Sequence, residues 1–257
     1  MKSIITVFYA ALAIVLVGAI GISRVAQAQV MGDVIEGRVQ VAGKQVPLPP
    51  GIFTVISVET GPARAPEGET EIERLDLGPV QTVVLASAAE GRVSSVVEIS
   101  ANLIPHHDGW GTTADCTRTD LYAAVVNYKS GWDVSCLYLK PMAMTDEAER
   151  PGGLALVAFG VVQQAEITDF WITAGLRVAN RQDVLDVRYH LDPATFGVPG
   201  TAATDSAWAP AVIEQSPARL AVIKDIAAWA SLTSVSLDQG LRGRLTGDAQ
   251  SIAISGA

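Results

Sequence analysis

Hydrophobic and polar positions alternate with period two over much of the chain. In the stretch IEGRVQV, Ile35, Val39 and Val41 share one face while Glu36, Arg38 and Gln40 share the other. Successive side chains of a strand point to opposite sides, so this spacing predicts a half-buried strand. VPLPPG follows, where Pro47, Pro49 and Pro50 fix φ and Gly51 releases the chain. Ile52 to Glu59 is apolar on nearly both faces and reads as a central strand. Val80 to Ser87 is the next strand, and Glu90-Gly91 turns it into RVSSVVEISANLI. There Val93, Val97, Ile99 and Leu103 oppose Arg92, Ser94, Glu98, Ser100 and Asn102, the pattern of an antiparallel hairpin with one wet face. Val134 to Leu139 is a further short strand.

The second half of the chain starts after TDEAERPGG, a break near residue 150. LALVAFGVVQQA is ambiguous: Leu154, Val157, Val161 and Val162 suit a helix, but Gly160 weakens it by roughly 1 kcal/mol relative to Ala. Ile172, Ala174, Leu176 and Val178 alternate, as do Leu185, Val187, Tyr189 and Leu191, with Asn180 to Asp183 as the turn between them. Ser216 and Pro217 have the N-cap and first-turn chemistry of a helix start. Leu220, Ile223 and Ala227 line one stripe of that helix and Val222, Ile226 and Trp229 an adjacent one, with Arg219, Lys224 and Asp225 facing away. Ser231 to Ser236 is expected to end it. Strands followed by a helix, without regular βαβ alternation, argue α+β: a mainly antiparallel sheet with a C-terminal helix packed on it.

The extreme N-terminus follows different rules. Ile4 to Ile22 carries no charge, and Ala26-Gln27-Ala28 is the small-x-small pattern that a signal peptidase reads. Cleavage is expected after Ala28. The apolar run is also long enough to span a bilayer, so an uncleaved anchor is the alternative. The expected organisation is residues 1–28 as signal or anchor, 29–245 as one exported α+β domain, and 246–257 as a flexible tail. The body is then periplasmic or secreted, or inner-membrane anchored and facing the periplasm.

Composition and charge narrow the functions. The chain has 257 residues, 49% of them hydrophobic, which is ample for a sizeable core. Its formal charge is -9. Removing Lys2 and Arg24 with the leader leaves 16 basic against 27 acidic groups, a net of -11. Such a chain has no electrostatic footprint for nucleic acid. An anionic membrane surface would repel it, so membrane contact is expected only through an uncleaved N-terminal segment. The two cysteines, Cys116 and Cys136, are expected to pair in an oxidising compartment, tying the strand at 134–139 to the loop after Leu103.

Four landmarks together are familiar: VPLPPGIFTVIS, the mid-chain cysteine pair, DVLDVRYHLDPATFG, and SAWAPAVIEQSPARLAVIKDIAAWA. This combination resembles a loosely defined group of exported bacterial proteins of unknown function, in which a VPLPPG-type turn precedes an early strand and a Trp-bearing helix closes the domain. Phe53 stands where the group pattern has Trp, and Leu191-Asp192-Pro193 where it has Asn-Pro. The resemblance implies export and a compact domain, and it brings no activity.

The candidate chemistry is sparse. His106, His107 and Asp108 lie in one loop and could ligate a divalent metal only with a third ligand such as His190 or Asp115. The plainer reading is a polar loop with Asp108-Gly109 as a turn. GWGTTA matches a dinucleotide fingerprint in letters, but no buried strand precedes it. Asp186, Arg188 and His190 share one face and read as the solvated side of an edge strand. No GxSxG, SxxK, P-loop or EF-hand motif occurs. The Gly-flanked Trp110 and Trp132 would be drawn together by the cysteine pairing, and the most favourable binding patch is there. The first expectation is therefore a non-catalytic binding or structural module without cofactor, working with a protein partner of the cell envelope. The alternatives are an envelope hydrolase using the His106, His107 and Asp108 loop, and a membrane-tethered accessory subunit of an envelope complex.

Overall fold

The computed structural model describes residues 29–62, 78–106, 110–143, 151–200 and 206–245. The leader at 1–28, the tail at 246–257, and His107 and Asp108 lie outside the described residues. The alternating runs become strands β1 (Val34–Val41), β2 (Lys44–Pro62), β3 (Pro79–Ala89), β4 (Arg92–Asn102), β5 (Ala123–Ser130), β6 (Asp133–Ala143), β7 (Phe170–Ala179) and β8 (Val184–Leu191). Helices α1 (Leu154–Gln163) and α2 (Pro217–Leu241) complete the regular structure. The order in the single eight-stranded sheet is β1-β2-β3-β4-β8-β7-β6-β5, with every neighbouring pair of strands antiparallel. The expected α+β class, with a C-terminal helix on an antiparallel sheet, is what the chain forms.

The topology is two four-stranded meanders. The first runs from one edge inward to β4; the second starts with β5 at the opposite edge and runs inward to β8, which pairs with β4. Both expected hairpins are present, β3–β4 turning at Glu90-Gly91 and β7–β8 at Asn180–Asp183. Glu90 and Gly91 both have positive φ, 52° and 73°, as a two-residue turn between right-twisted strands requires.

Bulges or irregularities interrupt the register in β1, β2, β4 and β5. Each adds local twist, so the sheet curls around α2. Both flanks reach the last turns of that helix. On one side Gly240 sits against the carbonyl of Gln45 in β2, so close that no Cβ would fit. On the other, Asn127 Nδ2 donates to Ser234 Oγ at 3.2 Å and Tyr128 Oη to Asp238 Oδ1 at 2.9 Å. The principal core lies between this concave face and α2. Trp229 of α2 meets Tyr189 of β8 edge-on, ring centroids 4.9 Å apart, and Tyr189 Oη donates to the Pro47 carbonyl at 2.9 Å.

Three readings of the sequence need correction. α2 does not end within Ser231 to Ser236: Thr233, Ser234, Leu237, Gly240 and Leu241 continue its buried stripe. The serines fit because Ser231 Oγ donates to Ala227 O and Ser234 Oγ to Ser231 O, both at 2.8 Å. Arg219 does not simply face away; its guanidinium lies 5.4 Å from the buried Trp208 ring and donates to Ala207 O. Strand β8 is not an edge strand but lies at the middle of the sheet, and on its polar side His190 is buried while Asp186 and Arg188 are half-buried.

Candidate functional site

The convex face of the sheet carries the chain's polar chemistry between two covers. At one end α1 lies over Ile56, Val84, Ala86, Val96 and Trp171. At the other, the segment after β4, described at 103–106 and 110–122, places Trp110, Cys116 and Leu121 over Val80, Val134, Tyr138, Ala179 and Val184.

That segment is pinned at three points. Its start is held by Asn102, buried at the end of β4, whose Nδ2 donates to the carbonyls of Ile104 at 2.9 Å and Gln182 at 3.0 Å while Oδ1 accepts from Val184 N. Its middle is held by Arg177 of β7, which donates to the Trp110 carbonyl at 2.8 Å and pairs with Asp186 at 2.6 Å. Its far end, a 3-10 turn at Ala114–Cys116, is joined to β6 by the Cys116–Cys136 disulfide, with a Cα–Cα distance of 6.2 Å. The expected cysteine pairing is thus present, and both cysteines are buried.

Between the covers, strand register places three cross-strand rows on one face. The first is Cys136, Arg177, Asp186, Ser100 and Thr82. The second is Tyr138, Gly175, Arg188 and Glu98. The third is Lys140, Thr173 and His190. Gly175 makes the middle row feasible, because the ring of Tyr138 lies flat across it and a Cβ there would collide with the phenol.

Charge is distributed unevenly over these rows. Arg188 faces Glu98 at 3.8 Å, Arg177 holds Asp186, and on the covering segment Arg118 pairs with Asp120. Two half-buried groups differ. Lys140 and Asp115 make no side-chain hydrogen bond or ion pair among the described residues. Burial, reinforced by the Arg118 and Arg188 guanidiniums, moves the Lys140 amine below its ordinary range. Burial moves the Asp115 carboxyl above its own, against the pull of Arg188. Both groups are shifted toward neutrality, a condition that clusters at binding and catalytic sites.

His190 is 1% exposed and bonds Thr173 Oγ1 through Nδ1 at 2.9 Å. Its Nε2 has no hydrogen-bond partner and lies 4.0 Å from Glu98 Oε2. Thr173 Oγ1 also reaches Met142 Sδ at 3.4 Å, so the hydroxyl is shared between the imidazole and the thioether. Burial, then Arg188 and Lys140, push the imidazole down to about 3. Threonine, histidine and glutamate in this order have the composition of a nucleophile, base and orienter. Thr173, however, is wholly buried, and an imidazole so hard to protonate is a feeble base.

The residues singled out from the sequence fare differently. His106 is half-buried; its amide donates to Gln182 O at 3.0 Å and its Nδ1 has no partner. Among the described residues no group of three or more His, Cys, Asp or Glu side chains could hold a metal. Trp110 is buried beneath its own loop and not displayed on it. Trp132 is 43% exposed and packs beside Gly111, so the disulfide does bring the two tryptophan loops together. Lys140 was not apparent from sequence. Its signal was period two: Tyr138 and Lys140 share a face with Cys136, opposite Leu137 and Leu139.

A separate cleft of about 490 Å³ opens at the end of β2, β4 and β8, between Pro49, Pro50, Ser95, Leu191 and Phe196, with Arg92 at its side. Arg92 is engaged by the buried Asp192 at 3.1 Å and by Glu166 at 3.9 Å. This cleft shows what the VPLPPG turn builds: one apolar wall of a concavity.

Comparison of the chain with protein-family models, with curated proteins and with solved structures finds no match.

Proposed function

We propose that this chain is an exported binding module, and that its recognition site is the polar row of β6, β7 and β8 beneath the disulfide-pinned segment. The observation that carries this reading is that Lys140 on β6 and Asp115 on the cover are both half-buried and neither makes a side-chain hydrogen bond or close ion pair, where Cys116–Cys136 fixes the cover to the strand. A protein that only needed a stable sheet would gain by making that face apolar or fully paired. A rigid scaffold with unmatched charge beneath a stapled loop is the arrangement that recognition uses.

Binding without turnover is supported by the burial of Thr173 and His190, which keeps a substrate from the nucleophile-like hydroxyl. Export is supported by the apolar run Ile4–Ile22, the Ala26-Gln27-Ala28 pattern and the disulfide itself, since such bonds persist in oxidising compartments. Helix α2 is long and apolar enough to cross a membrane, but its buried side is the inner wall of the main core. Tethering therefore falls to the N-terminal segment if that is retained.

N-terminal sequencing and thiol titration of the protein from cell envelopes test the reading. Gln29 as the first residue and no reactive sulfhydryl in denatured, unreduced protein are expected. Met1 at the N-terminus of a cytoplasmic protein with two titratable thiols would overturn it.

A further inference from the structure

Every arginine of the polar row has its own carboxylate: Arg188 has Glu98, Arg177 has Asp186 and Arg118 has Asp120. Lys140 has no carboxylate within ion-pair distance, although it is half-buried near two of those guanidiniums; Asp115 and Asp120 act on it only from farther off. A desolvated ammonium among like charges is a costly arrangement, and it is relieved either by losing the proton or by gaining an anion. The neighbouring Asp115 is a poor counter-ion, because it makes no ion pair and its own burial favours the neutral acid. We propose that Lys140, with Arg118 and Arg188 beside it, forms the binding site for an oxyanion, a carboxylate or phosphate group of a small ligand.

The local architecture suits that role. Lys140 stands on β6, four residues beyond Cys136, and its backbone pairs with Thr173 of β7. Arg118 stands on the cover, two residues beyond Cys116, so the disulfide holds its backbone to the strand that carries Lys140. The Tyr138 ring lies over Gly175, which stands between it and Arg188 in the cross-strand row next to Lys140. Preorganised donors of this kind bind oxyanions without reordering long side chains.

This inference rests on the binding-module reading and has its own test. The oxidised, exported protein is titrated calorimetrically with sodium phosphate and separately with sodium acetate, at constant ionic strength made up with chloride. Saturable binding of one of the two is expected, and which one tells phosphate from carboxylate ligands. Lys140→Gln should weaken it by about tenfold or more, the worth of one charge-assisted hydrogen bond, while Lys224→Gln on the exposed side of α2 leaves it unchanged. If Lys140→Gln does not fold, Arg118→Gln on the cover serves instead, with weakened binding expected. Absence of saturable binding of either anion, or equal binding by the variant, would overturn the site. With no free thiol and Gln29 at the N-terminus, that failure removes the oxyanion site and leaves the export reading standing; two free thiols remove both.

Discussion

The phenol ring of Tyr138 lies across the bare backbone of Gly175, directly opposite it on the neighbouring strand. One residue supplies the bulk and the other the absence of bulk, so neither can be changed alone. Gly175→Ala should force the ring off its seat and destabilise the protein by about 1–3 kcal/mol, the usual cost of overpacking. Urea denaturation measures it. The double variant Gly175→Ala with Tyr138→Ala should be less damaged than the two single losses added together; simple additivity would mean the ring does not depend on that glycine.

Gly240 supports a prediction of opposite sign to helix propensity. Glycine inside α2 is poorer than alanine by about 1 kcal/mol on intrinsic grounds. Here a Cβ would strike the Gln45 carbonyl, so Gly240→Ala should lower stability. A raised melting temperature would show that α2 can move off β2.

The disulfide closes a stretch of 20 positions. Replacing both cysteines with alanine should cost about 3 kcal/mol on the chain-entropy account. The effect should concentrate in the cover. Faster hydrogen exchange across 110–122, with β3 and β4 unchanged, is the expected pattern; a uniform change over all strands would mean that the cover is not separately pinned.

His190 makes stability depend on pH. Its folded pKa lies at about 3 against 6.5 for the exposed group, so between these values the unfolded chain binds a proton that the folded chain refuses. Stability must therefore fall as pH falls through that window, by up to about 1.4 kcal/mol per unit from this one residue. Asp115, shifted upward, acts in the opposite sense at the acid end, since its folded form retains a proton that the unfolded form releases. Unfolding free energies at pH 7, 5 and 4 should fall in that order for the native chain. They should change less for His190→Gln, and an equal slope would remove His190 as the cause.

What could be read from the sequence was local. Period-two alternation located β3, β4, β7 and β8 and their turns, because those signals lie within a few residues of one another. Strand β5 escaped, since a bulge between Val126 and Tyr128 breaks its alternation and most of its residues are exposed. The polar side of β8 was legible as a face but not as a buried one. Whether Asp186, Arg188 and His190 meet water depends on β4 and β7 beside them and on the covers above, all set by contacts distant in sequence. For the same reason His106 and Trp110 attracted attention as a loop motif, while Lys140, an ordinary lysine at the polar end of an apolar strand, did not.

The pairing of β4 with β8 sets a timetable for the chain. When the first four strands of the nascent chain have been made, β4 still displays an open row of amides and carbonyls, and the strand that will satisfy them lies more than eighty residues behind. A nascent sheet with a sticky inner border invites wrong partners until synthesis is nearly done. Thiol oxidation can precede that closure, because Cys116 and Cys136 are both out well before β8, so the stapled cover is already assembled when the two halves of the sheet finally join.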